Sequence, residues 1–168
     1  IMNTLQIKRA LERNRFTKKN FCGVFAADML PKSVDAFPCG FIANTDPSTK
    51  PGTHWVTFYF PSREKGEFFD SYGYPPEHYG ESFKLYNIET WNNRKIQNSW
   101  SEVCGQYCIF YLYQKSRGYS MSEIVNMFTN NTDLNDCNVA CYVKKHFNVL
   151  IENQPICGLI QCCKPILK

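Results

Sequence analysis

The sequence predicts one ordered domain in which strand signals come first and helix signals follow. Three observations carry this. The chain has 168 residues, a length that fits a single domain spanning 1–168. Aromatic residues make up 15% of it, with thirteen Phe, ten Tyr and three Trp, which favours strands and a packed core over disorder. Alternating β-branched and aromatic residues mark 54–60 and recur at 67–70, and a helical run free of Gly and Pro after its first turn marks 104–116.

Residues 5–13 carry helix formers, and the break at Asn14 opens an apolar segment, ending at Pro31, that predicts an extended or looped entry. Residues 36–43 are mostly apolar with Pro38 and Gly40 near the start, which predicts a strand beginning at an irregular edge. The Pro, Ser, Thr, Asp and Gly content of 44–52 marks a turn-rich connection. Residues 54–60 alternate, 67–70 repeat the signal, and together they predict a β-hairpin. Pro75, Pro76 and Gly80 mark a loop before a short helix or strand at 83–87 and another strand at 94–97. Residues 104–116 predict a buried helix that Gly118 stops. Ser120 caps a helix over 121–128, and Asp133 or Asn135 caps a last one reaching about His146, with Val139, Tyr142, Val143 and Phe147 on its apolar side. The segment from 148 onward, with Pro155 and Pro165, reads as a strand or a docked tail.

The net charge of +4 is modest but uneven. Lys8, Arg9, Arg13, Arg15, Lys18 and Lys19 cluster with only Glu12 opposing them. The plain reading is a solvated helix face; the sharper one is a phosphate-contacting patch whose DNA binding weakens steeply with salt. Nine cysteines without a signal peptide predict a reducing compartment rather than secretion. No apolar stretch approaches the ~20 residues of a membrane span, so a soluble protein is expected. Cys137, Cys141 and His146 lie close together, yet no C-x-x-C pair exists, so the expectation is core thiols and no metal.

Chemistry concentrates elsewhere. Cys104 stands where the helix over 104–116 begins, and unpaired amides together with the helix dipole stabilise a thiolate there. Thiol-based peptide hydrolysis also needs an imidazole, an acceptor that orients it and donors for the oxyanion. His54, Asp70 and Gln97 supply these, the last with the backbone N–H of Cys104. The hairpin predicts His54 and Asp70 at neighbouring strand ends, with Nδ1–H toward the carboxylate and Nε2 left for sulfur. Each residue alone also has a bland reading, as a core His, a turn Asp or an inert buried Cys; order and spacing favour the catalytic one. Cys108, one turn deeper, is expected in the core.

The sequence His54-Trp55, then Asp70-Ser71-Tyr72-Gly73-Tyr74-Pro75-Pro76, then Gln97, six residues and Cys104-Gly105, resembles the adenain-like cysteine proteases: the adenovirus maturation protease and its relatives in other DNA viruses and large DNA transposons. The resemblance spans about 21–113. It implies an α+β fold with a central mixed β-sheet flanked by helices, a permuted papain-like arrangement with the nucleophile at the N-terminus of a buried helix. It also implies a cysteine endopeptidase that processes viral capsid and core precursors during virion maturation near Gly-containing motifs, in the host nucleus or cytoplasm and in the virion. Trp55 would line the substrate groove or support His54. Adenain has Glu where this chain has Asp70. The resemblance brings an activating peptide and DNA as candidate ligands, with no cofactor required by the sequence. There is no Cys between Cys39 and Cys104, where the family joins its peptide, which argues against a disulfide-linked form. The alternative readings are a SUMO- or ubiquitin-like-protein protease of the same clan and a noncatalytic scaffold.

Overall fold

The computed structural model describes residues 1–149. Helix α1 (Thr4–Arg13) is followed by strands β1 (Phe21–Phe25), β2 (Cys39–Asn44), β3 (Trp55–Ser62), β4 (Lys65–Phe69) and β5 (Ile88–Trp91), then by helices α2 (Cys104–Ser116), α3 (Met121–Val125) and α4 (Thr132–Phe147). The strands form one sheet in the order β1-β2-β3-β4-β5. The outer pairs are parallel and the inner ones antiparallel, so the sheet is mixed, and the fold is α+β as expected.

Alternation along β3 explains the layers. Trp55 and Tyr59 pack with Ile42, Phe69, α1 and α2 on one face, while Val56, Phe58 and Phe60 pack with Phe41, Phe68, Leu30 and Phe83 on the other. The second layer is an aromatic cluster: Phe58 stacks on Phe41 and meets Phe68 edge-on, both at 5.0 Å between centroids. Helix α2 is buried on all sides from Cys104 to Gln114. A helix with no solvent face must sit inside the domain. Gly118, at φ +92°, follows it in the left-handed conformation that ends helices.

Gly66 lets β5 lie alongside β4. A Cβ there would stand 2.5 Å from the Asn87 carbonyl oxygen and 2.9 Å from Ile88 Cδ1. The oxygen belongs to backbone and cannot turn aside. Gly66→Ala is therefore expected to lower stability by about 1–3 kcal/mol; a urea midpoint unchanged from wild type would contradict this.

Several elements depart from the sequence expectation for local reasons. Strand β2 begins at Cys39 because Pro38 has no N–H for the ladder. The strand expected at 94–97 is irregular chain: the N–H groups of Ile96 and Gln97 both donate to the Ser71 carbonyl, and the strand lies earlier, in β5. A 3₁₀ turn, Glu81–Lys84, stands where a short helix or strand is expected over 83–87. Asn131, rather than Asp133 or Asn135, caps α4, since the Asn135 amide donates to the carbonyls of Ile96 and Thr129. Ser120 caps α3 as expected, in a capping box with Glu123. Cys22 and Cys39 are joined by a disulfide between β1 and β2. Nearly all of the segment expected as a strand or docked tail lies outside the described residues. Among the described residues no helix is long and apolar enough to cross a membrane.

Candidate active site

His54 directly precedes β3 and Asp70 directly follows β4. The antiparallel register, with Thr57 opposite Phe69, brings these two strand ends together. His54 Nε2 lies 2.7 Å from Asp70 Oδ1, and the ring is also hydrogen-bonded to Cys104. The orientation is the reverse of the expected one. Asp70 stands one strand away, so the ring's distal nitrogen reaches it, and the proximal Nδ1 is the one left for sulfur.

Asp70 is fully buried and surrounded by donors. Its Oδ1 also accepts from the Tyr72 N–H at 2.9 Å, and Oδ2 accepts from the Tyr74 N–H at 3.0 Å and the Tyr79 hydroxyl at 2.8 Å. Asn92 clamps its backbone, accepting from the Asp70 N–H and donating to its carbonyl. Such a cage holds a carboxylate in one orientation. Tyr72 stacks on the His54 ring at 4.6 Å and 21°. Burial pulls the His54 pKa down, but the hydrogen bonds the ring donates to Asp70 and Cys104, together with their charges, outweigh it, and the value rises to about 9. At neutral pH the ring is an imidazolium. Burial, reinforced by the nearby Asp70, pushes Tyr79 far up and Tyr72 up to about 12, so both phenols stay neutral. Sequence reasoning gave Tyr79 and Asn92 no role. They reach Asp70 from 9 and 22 positions away, and no spacing rule announces such contacts.

Cys104 opens α2 and is 2% exposed. Val103, at the cap position, offers no side-chain hydrogen bond to the first turn, leaving the helix end without a side-chain cap. Gly105 admits Met2, whose Cβ would lie 3.1 Å from a Cβ at that position. Cys108 lies beneath in the core, and burial pushes its thiol well up. Gln97 is fully buried: its Oε1 accepts from the Ser71 hydroxyl at 2.5 Å, and its Nε2 donates to the carbonyl and hydroxyl of Ser101, each at 3.0 Å. The amide expected to face the oxyanion is thus turned to its own loop. Trp55 is buried, with its indole N–H donating to the Met2 carbonyl at 2.9 Å. It forms part of the wall of a cleft of about 550 Å³ shared with Met2, Met29, Asn44 and Gly52. Lys8, Arg9, Arg13, Arg15, Lys18 and Lys19 are all exposed, on α1 and the turn after it.

This chain aligns with the crystal structure of the ASFV pS273R protease at a TM-score of 0.58 and 20% identity, over 90% of this chain and 68% of that one. The fold is shared with a viral protease. The selenomethionine form of the ASFV protease gives 0.53 at 21% identity, over 90% and 69% of the two chains. The central domain of the Lpg1148 protein of Legionella pneumophila gives 0.48 at 14% identity, over 88% and 96%. No protein-family model and no curated protein matches the sequence. On this shared fold, the three side chains of Cys104, His54 and Asp70 form a relay from sulfur to a buried carboxylate. Such a relay can hold a proton between sulfur and ring nitrogen and keep the ring fixed while it moves.

Proposed function

We propose that the chain is a cysteine endopeptidase that processes capsid and core precursor proteins of a DNA virus or virus-like transposon near Gly-containing motifs. The observation that carries this reading is the His54 ring, bonded through Nε2 to buried Asp70 and through its other side to a cysteine at a helix N-terminus. In the proposed reaction Cys104 Sγ attacks the scissile carbonyl carbon, and the oxygen becomes an oxyanion. The Cys104 backbone N–H and one N–H of Gln97, released from Ser101, donate to it. His54 passes its proton to the leaving amine as the C–N bond breaks, giving a thioester. Neutral His54 then takes a proton from water, which attacks the thioester, and the release of acid restores sulfur and imidazolium. Asp70 orients the ring throughout.

The six exposed basic residues supply a DNA-contacting face in this reading, with a noncovalent activating peptide as a further partner. The test is incubation of the purified chain with the structural proteins encoded beside it and sequencing of the new termini. Absence of new termini, with DNA and peptide present or absent, would overturn the assignment. Cleavage of a SUMO or ubiquitin fusion alone would move it to the related specificity. Because one N–H of Gln97 must reach the oxyanion, Gln97→Ala is expected to lower kcat by ~10²- to 10³-fold. The alkylation rate of Cys104 should stay near wild type, since the His54 relay is intact; equal kcat in both proteins would remove Gln97 from the reaction.

A further inference from the structure

We propose that Trp100 is a substrate-contacting residue that packs against an apolar or planar side chain next to the scissile bond; this rests on the peptidase reading above. Its indole is 94% exposed, the most exposed of the large apolar side chains in the described residues. Exposure on a loose loop would mean little, but this loop is braced. The Asn98 N–H donates to Asp136 and its side-chain amide to Asp133, fixing the loop to α4 at 3.2 and 2.5 Å. Asn98 Oδ1 accepts the Trp100 N–H at 2.9 Å, the Asn98 carbonyl accepts from the N–H and hydroxyl of Ser101, and Ser101 in turn holds Gln97. Trp100 is therefore the apex of a hydrogen-bonded bracket and stays displayed without an apolar neighbour to cover it.

Position supplies the occupant. Trp100 lies three residues after Gln97 and four before Cys104. Four residues of extended chain span at most about 14 Å, so the Trp100 backbone lies within that reach of Cys104, on the loop that runs from Gln97 to the nucleophile. A peptide laid across Cys104 with its carbonyl toward Gln97 must pass this loop. An indole face gains most from apolar or planar groups, such as aliphatic, aromatic or proline side chains.

The experiment uses quenched fluorogenic decapeptides with a central Gly motif, varied to Leu, Phe, Pro, Ser or Gly on either side of the cleaved bond, against wild type, W100A and W100F. W100A is expected to lose about tenfold in kcat/KM on the Leu, Phe and Pro peptides, through KM. It should change less than twofold on the Ser and Gly peptides, and W100F should recover part of the loss. Alkylation of Cys104 by iodoacetamide should be unaltered, whereas a merely structural Trp would slow every peptide alike and disturb alkylation. A uniform loss, or none, overturns the inference while leaving the peptidase reading in place. Binding gives a readout independent of turnover. In the Cys104→Ala protein, the Leu and Phe peptides should shift Trp emission to the blue, and this shift should vanish in the Cys104→Ala W100F double variant. Its absence sinks the inference even if wild type cleaves, and a shift without cleavage would remove the peptidase reading alone.

Discussion

Replacing Cys104 by Ala is expected to abolish the proposed precursor cleavage, by ~10⁴-fold or more in kcat/KM, while the protein stays folded. The two halves of this expectation come from different physics. Activity collapses because no other thiol among the described residues adjoins the His54 relay in a reactive state: Cys108 is one turn deeper, fully buried, and its thiol is pushed up by that burial, which keeps it protonated and inert. Stability barely moves because the change removes one sulfur atom from a packed helix end, costing about 1 kcal/mol in lost contact. Alkylation supplies the companion measurement. Iodoacetamide at neutral pH should label Cys104 in wild type and label it far more slowly in His54→Ala, since that variant removes the ring that partners the sulfur. Cleavage that survives Cys104→Ala, or equal labelling of Cys104 with and without His54, would force another nucleophile.

The sheet explains why the site tolerates a buried ion pair at all. Its far face is filled with interlocking rings, and its near face is closed by a helix without a polar side, so β3 and β4 cannot shift relative to each other without opening one core or the other. Rigid strand ends hold His54 and Asp70 at a fixed distance. The desolvation that this rigidity imposes is offset by the ring of donors on Asp70, which replace the water it gives up.

The parts of this arrangement that strong local patterns specify were legible. Alternation through 54–60 and 67–70 placed His54 and Asp70 at adjoining strand ends, and the uninterrupted run after Cys104 set α2 at Cys104–Ser116. What depends on three-dimensional approach was not. Which imidazole nitrogen meets Asp70 is decided by how far the neighbouring strand lies, and that is absent from one-dimensional spacing. The segment 94–97 holds one β-branched residue, Ile96, and the N–H groups of Ile96 and Gln97 find the Ser71 carbonyl while the Ile96 carbonyl finds Tyr107 and Asn135, so tertiary partners take the place of a ladder. Gln97 was recognisable as an amide of the right kind at the right interval, yet its present partner, Ser101, is visible only once the loop is folded.

Asp70→Asn is expected to cost about 3 kcal/mol of stability and to lower kcat/KM by ~10²- to 10³-fold at pH 7. The carboxylate accepts from four donors, two at each oxygen. An amide offers one acceptor oxygen, so with Oδ1 kept for His54 and the Tyr72 N–H, the NH₂ group faces Tyr74 and Tyr79. The Tyr79 hydroxyl can turn and accept, but the Tyr74 N–H is left opposed to another donor. The pH dependence isolates the charge from this misfit. In wild type the His54 pKa is about 9 when folded, against 6.5 for an unperturbed ring. Between those values the folded state binds the extra proton, so the stabilisation is complete below pH ~6.5, falls as pH rises, and is gone above ~9. In Asp70→Asn the largest upward pull is removed while burial still pulls down, so the fall between pH 6.5 and 9 should flatten. Urea unfolding of both proteins at half-unit pH steps measures this directly. Parallel curves would mean that Asp70 does not hold the His54 charge, and the orienting role assigned to it would fail with them.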